Sequence, residues 1–149
     1  MIEPCIITER FEYDYCIARG FNPLVDTRNF KMNIHLRIEI QKELFGRCVF
    51  GRGENIQAAN DRFFRWVWDH KPHYCEETLR PLNNYSAVHL SHILTRGGFP
   101  EMAHDPRNIN ILTLESHNRW EHGDRENMRI YDKNCRIIEL LIEDYNKIK

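Results

Sequence analysis

The sequence predicts an α+β fold, and three observations carry that prediction. Between Ser86 and Glu121 the order reads strand, long loop, strand, short helix: two short apolar runs flank a Gly- and Pro-bearing loop, and a helix-forming segment follows. Upstream, Asn55 to His70 carries apolar residues at helical spacing and stops at Lys71-Pro72. Downstream, Asn134 to Lys149 is amphipathic. The chain has 149 residues, 42% hydrophobic and 29% charged, which fits one globular domain able to bury a core without disulfides.

Taken in order, residues 1–32 are mixed, and Gly20 and Pro23 interrupt any long helix. A short strand or two, an arm or a cap all fit. From Asn33 to Phe45, Ile34, Leu36, Ile38 and Ile40 alternate as in a strand, yet Gln41, Lys42, Glu43 and Leu44 are good helix formers; helix is the preferred reading. Gly46 to Gly53 is a break, either loop or tight hairpin. In the next helix Asn55 is a candidate cap, with Ile56, Ala59, Phe63, Trp66 and Val67 on one face and Arg62, Arg65 and Asp69 on the other. The mix of aromatics and arginines at 62–68 admits a nucleic-acid surface, but core packing of the aromatics is preferred. Residues 73–84 are turn-rich. Ser86 to Leu94 and Asn110 to Leu114 have strand composition, and Glu115 to Glu121 has helical composition with Ser116 as its cap. Ile137, Leu140, Leu141 and Tyr145 form the stripe of the last helix, where Lys147 and Lys149 suit the C-terminal dipole. Residues 1–54 carry no assignable role; 55–149 read as a functional module with flanking helices, in one compact unit.

Net charge is −1, from 21 basic and 22 acidic residues, so contact with nucleic acid has to come from local patches. No run reaches the length of a membrane span, and the first residues lack a secretory pattern; a cytoplasmic protein with no membrane partner is expected. The five cysteines (Cys5, Cys16, Cys48, Cys75, Cys135) include no CxxC pair and read as reduced, small hydrophobes.

Five histidines, His89, His92, His104, His117 and His122, fall within 34 residues. His117 and Glu121, four apart on a helix, share a face and can reach one metal ion. The chemistry that fits is phosphodiester hydrolysis. It needs a neutral base near its ordinary pKa, a role for His92, and a cation to offset charge on the leaving oxygen. Asn108 can orient the imidazole by accepting its second ring hydrogen.

With His92 at a strand end, Gly97-Gly98, Asn108 before a second strand and His117 in the following helix, the stretch from about Tyr74 to Gly123 resembles the ββα-metal module of the HNH endonucleases, of a phage or bacterial type. The resemblance implies that His92 is the general base, Asn108 its orienting partner, and His117 and Glu121 ligands to one divalent cation, Mg²⁺ or Mn²⁺, with Ni²⁺ or Zn²⁺ as other candidates. It implies double-stranded DNA as substrate. Two departures stand out. The metal ligand that relatives carry before the base is Ser91 here, a weak ligand, for which His89 is a substitute on the expectation that both share a strand face. The two cysteine pairs that hold a structural zinc in many relatives map to Cys75 and Thr78, and to Thr113 and Ser116, so no structural zinc is expected. His104 and His122 read as surface histidines.

Arg96, Arg107, Arg119 and Arg125 are the candidate DNA contacts, although Glu101, Asp105, Glu115, Asp124 and Glu126 lie among them, so a mixed solvated surface is the competing reading. Loss of Ser91's counterpart and of the thiolates also motivates a second function: a catalytically inactive binding module that inhibits or regulates a protein partner, for example against a bacterial defence system. Oligomeric state is not legible.

Overall fold

The computed structural model describes residues 3–46 and 56–148, Ile56 by its backbone. Strands β1 (Cys5–Ile7) and β2 (Phe30–Met32) pair in parallel, Ile7 opposite Met32, and α1 (Arg10–Ala18) lies between them in sequence. Glu12 starts α1 by accepting the amides of Thr8 and Glu9 at 3.1 and 3.0 Å. Gly20 sits beyond its end at φ +88°, a conformation that suits glycine.

Helix α2 (Ile34–Phe45) shows why its apolar residues alternate. Asn33 caps it, accepting from the amides of His35 and Leu36 at 3.0 and 3.2 Å. Ile34 and Ile38 lie four apart and pack with Leu94, Met102 and Leu141. Leu36 and Ile40 form a second such pair, against Ile7, Tyr13, Leu24 and Met32. The apparent strand pattern is therefore two helical stripes facing two cores.

Helix α3 (Ile56–His70) buries Ala59, Phe63 and Val67, with Trp66 half-buried, so its aromatics pack inward. Arg62 donates Nε to the Phe45 carbonyl at 3.0 Å and closes the end of α2. Phe45 meets Phe63 edge-on, ring centroids 5.0 Å apart. The expected Asn55 cap, Cys48 and most of the 46–53 break lie outside the described residues.

Strands β3 (Leu90–His92) and β4 (Ile109–Ile111) pair antiparallel, Leu90 opposite Ile111 and His92 opposite Ile109. Both are shorter than the sequence runs; Ala87–His89 is a 3-10 turn opened by Ser86, whose Oγ accepts from the Val88 amide. Helix α4 (Leu114–His122) follows β4. Its cap is Thr113, not Ser116: Thr113 Oγ1 accepts from the Ser116 amide at 3.2 Å. Helix α5 (Tyr131–Ile148) starts earlier than the sequence suggested. Leu141 is fully buried, but Leu140 is 44% exposed, and Ile138 packs inward instead. Two polar anchors set that rotation. Asn134 exchanges amide hydrogen bonds with Asn110 at 2.7 and 3.2 Å, and Asp144 accepts from Arg107 at 2.8 Å. Among the described residues no helix is long and apolar enough to cross a membrane.

Packing does not separate residues before position 55 from the rest, because α2 enters the same core. It also carries Arg37, only 2% exposed, whose guanidinium donates to the Pro23 and Leu24 carbonyls, each at 3.2 Å, and to Asp105 at 3.4 Å. Arg107 grips the other side of Asp105 at 2.8 Å. Burial alone would raise the Asp105 carboxyl, but Arg107 and Arg37 hold it down at about 2. Asp105→Asn leaves two buried guanidinium groups short of countercharge. We expect a loss of about 3–5 kcal/mol in urea unfolding at pH 7; a loss below about 1 kcal/mol would show the cluster to be dispensable.

Candidate functional site

A cavity of 510 Å³ lies between β3 and α4, lined by His92, Arg96, His117, Glu121, His122 and Arg125, with Phe64, Leu90 and Trp120 among its apolar walls. Each polar member is placed by local geometry. Strand alternation directs Leu90 and His92 to the cavity and turns Ser91 away. Helical spacing puts Glu121 one turn beyond His117.

The His92 ring is partly buried, with Nε2 2.8 Å from the Ala103 carbonyl. A carbonyl only accepts, so Nε2 carries the hydrogen and Nδ1 keeps the lone pair. Burial pushes the ring down to about 4, the Ala103 bond opposes that, and Arg96 adds to it. The His92 imidazole is therefore neutral at pH 7, but it lies well below the ordinary value expected from the sequence.

His117 has Nδ1 2.7 Å from the Val88 carbonyl and Nε2 3.0 Å from Glu121 Oε1. With Nδ1 donating to Val88, a neutral ring turns its Nε2 lone pair toward a carboxylate. Two acceptors face each other there, an arrangement relieved by a proton or by a cation between them. One imidazole nitrogen and one carboxylate oxygen, with a backbone carbonyl orienting the ring, fit a divalent cation as its first two protein ligands. Glu121 is 42% exposed and His117 18%, so solvent reaches the pair. Among the described residues no group of three His, Cys, Asp or Glu side chains comes together to hold a metal ion.

Other expected members are placed differently. Ser91 is fully buried opposite Asn110, and its Oγ has no partner among the described residues. His89 precedes the strand in the 3-10 turn, so the period-two rule does not extend to it; it stacks against Trp68, centroids 6.4 Å apart. Neither lines the cavity. Asn108 is fully buried but does not hold the imidazole. Its Oδ1 accepts the Leu94 amide at 2.7 Å, and its Nδ2 donates to the carbonyls of Leu94 and Met102 at 3.0 and 3.1 Å. It clamps the loop whose Ala103 carbonyl holds the ring.

Of the four arginines, Arg96 and Arg125 line the cavity, and Arg125 covers Trp120 at 4.3 Å. Arg107 is consumed by Asp105 and Asp144, and Arg119 lies on Asp124 at 2.8 Å and beside Glu77 at 3.8 Å. Neither lines the cavity. His122 is exposed, as expected. His104 is not: it is 2% exposed, with Nε2 2.6 Å from Asn60 Oδ1, and burial pushes its ring down to about 4.

A second cluster forms at Cys75, Thr78, Thr113 and Ser116. The buried Cys75 Sγ lies 3.8 Å from Thr113 Oγ1 and 3.7 Å from Ser116 Oγ, and accepts the Thr78 amide at 3.4 Å. Burial would raise the thiol, but its contacts with Thr78, Thr113 and Ser116 outweigh that and bring it to about 7.

Sequence reasoning missed Phe64, Trp120 and the Ala103 carbonyl. Trp120 was findable, since it follows His117 by three residues and shares its helix flank. A backbone carbonyl leaves no residue-type signal. Comparison with known proteins finds no family model, no curated protein and no solved structure that matches the chain.

Two histidines held neutral by burial, His92 and His104, have a consequence for stability. Their folded values lie below the ordinary 6.5, so the stability they contribute is complete above that value and is lost as pH falls through it toward about 4. We expect the urea midpoint to fall between pH 6.5 and 5, and the fall to be shallower in His104→Gln. An equal slope in the variant would show that His104 is not a source.

Proposed function

We propose that the protein is an HNH-type endonuclease, dependent on a divalent metal and acting on double-stranded DNA. The observation that carries this reading is that His92 and the His117–Glu121 pair line one solvent-reaching cavity, on a strand–strand–helix unit.

In this reading His92 takes a proton from the attacking water on Nδ1. The Ala103 carbonyl keeps the hydrogen on Nε2, so the free lone pair stays on Nδ1, and it then stabilises the imidazolium that forms. An anionic phosphate in the cavity raises the ring's basicity from its resting value, because opposite charge favours the protonated form. Arg96 and Arg125 offer positive charge to that phosphate. His117 and Glu121 would hold the divalent ion. When bound, such an ion supplies neutralisation of charge on the leaving oxygen.

The cluster at Cys75 supports the same reading. The four positions where the resemblance places structural zinc ligands lie together, bridged here by thiol and hydroxyl contacts. The rival reading, a binding module without catalysis, draws on one observation: the cation site musters two protein ligands among the described residues.

The two readings separate on supercoiled plasmid incubated with Mg²⁺, Mn²⁺ or Ni²⁺. The nuclease reading expects nicking that falls by about 10²–10⁴-fold in His92→Ala and that requires higher metal concentration in His117→Ala. Absence of nicking with every metal favours the binding module. The cluster has its own test. Thr78→Cys, Thr113→Cys and Ser116→Cys together should retain zinc at a stoichiometry of about one per chain after dialysis against a weak chelator, by elemental analysis. No gain over wild type would count against the shared architecture.

A further inference from the structure

We infer that Gln41, on α2, is a positioning residue for the His92 imidazole, acting through the main chain of residues 102–104. The inference rests on the nuclease reading for its functional meaning, but its geometry stands without it.

Three successive carbonyls in this loop each take a side-chain hydrogen. The Met102 carbonyl accepts from Asn108 at 3.1 Å, the Ala103 carbonyl from His92 at 2.8 Å, and the His104 carbonyl from Gln41 Nε2 at 2.9 Å. The Ala103 carbonyl therefore belongs to a peptide plane bracketed on both sides. Asn108 fixes the plane before it, and Gln41 fixes the plane after it. The His104 side chain is tied in turn to Asn60 on α3. Gln41 is 2% exposed and lies 63 positions from His104 in sequence, so the bond is made only in the folded chain. Its Oε1 has no partner among the described residues. Among the described residues the buried amide thus makes one bond, the one to the loop.

The consequence is specific. If the plane carrying the Ala103 carbonyl tilts, His92 loses the acceptor that keeps its hydrogen on Nε2, and a neutral imidazole then distributes its hydrogen between both nitrogens. The lone pair would leave Nδ1 in part of the population, and the rate falls without loss of any group that touches substrate. Residues upstream of position 55 thereby take part in the site through Gln41, at no point reaching the cavity.

The test is Gln41→Met, which keeps length and volume and removes the donor, beside Gln41→Asn, which keeps an amide but falls short by one methylene. The primary readout is the tautomer of His92 at pH 7.5, from ring ¹⁵N shifts in histidine-labelled protein assigned with His92→Gln. Wild type is expected to show the Nε2–H form alone, and both variants a mixture of the two forms. Where wild type nicks plasmid, both variants should lower kcat several-fold with little change in KM. A single Nε2–H tautomer in a folded variant overturns the inference. Failure of both variants to fold also overturns it, because Gln41 is then a core-packing residue. Tautomer mixing in a protein that nicks no DNA with any metal upholds the positioning role and overturns only the nuclease reading.

Discussion

Burying a loop that has no regular partner is the constraint on which this molecule depends. Backbone groups taken out of water need hydrogen-bond partners. The segment from Met102 to Asn108 runs through the interior between β3 and β4, where no strand can pair with it. Main-chain turn bonds serve part of it, such as the Asn108 amide to the Asp105 carbonyl at 2.9 Å, and side chains add to them. Asn108, His92 and Gln41 each satisfy one carbonyl, and the Asp105 carboxylate accepts the Arg107 amide at 2.9 Å. These polar groups arrive from α2, β3 and the loop itself.

The same requirement orients the side chains of the candidate site. Holding the Ala103 carbonyl with a histidine leaves that histidine with a defined tautomer and its lone pair on Nδ1. Burial keeps the ring neutral. At the other wall, the Val88 carbonyl does the same for His117, turning Nε2 to Glu121. Both rings are thus oriented by backbone carbonyls, and the charge in the cavity comes from Glu121, Arg96 and Arg125. The arginine within the loop behaves differently: Arg107 is spent neutralising Asp105 and Asp144, where an unpaired carboxylate would be costly.

Much of the site was legible. His117 and Glu121 were readable as a pair because helical spacing brings residues four apart together, whatever the surrounding fold. His92 was readable from its place at a strand end. Asn108 was singled out, but with the wrong partner, because its amide reaches backbone groups of Leu94 and Met102 whose positions depend on the loop path. Ser91 came from the resemblance alone, and the strand turns it into the core opposite Asn110; His89 came from the assumption that strand alternation extends back to residue 89. The strand begins at Leu90, and the preceding turn rotates His89 onto Trp68.

Local periodicity and capping chemistry determined the order strand, loop, strand, helix over Ser86 to Glu121, the helix at 56–70 and the pairing of His117 with Glu121, and favoured helix over strand at 34–45, since each depends on residues within a turn or two of one another. Tertiary structure alone decided the rest. It determined that Ile34 and Leu36 face different cores, that Arg107 is buried against acids while Arg96 and Arg125 line the cavity, and that Gln41 bonds a loop 63 positions away. Those outcomes depend on which distant groups compete for the same buried hydrogen bonds and charges, and that competition exists only once the chain has closed on itself.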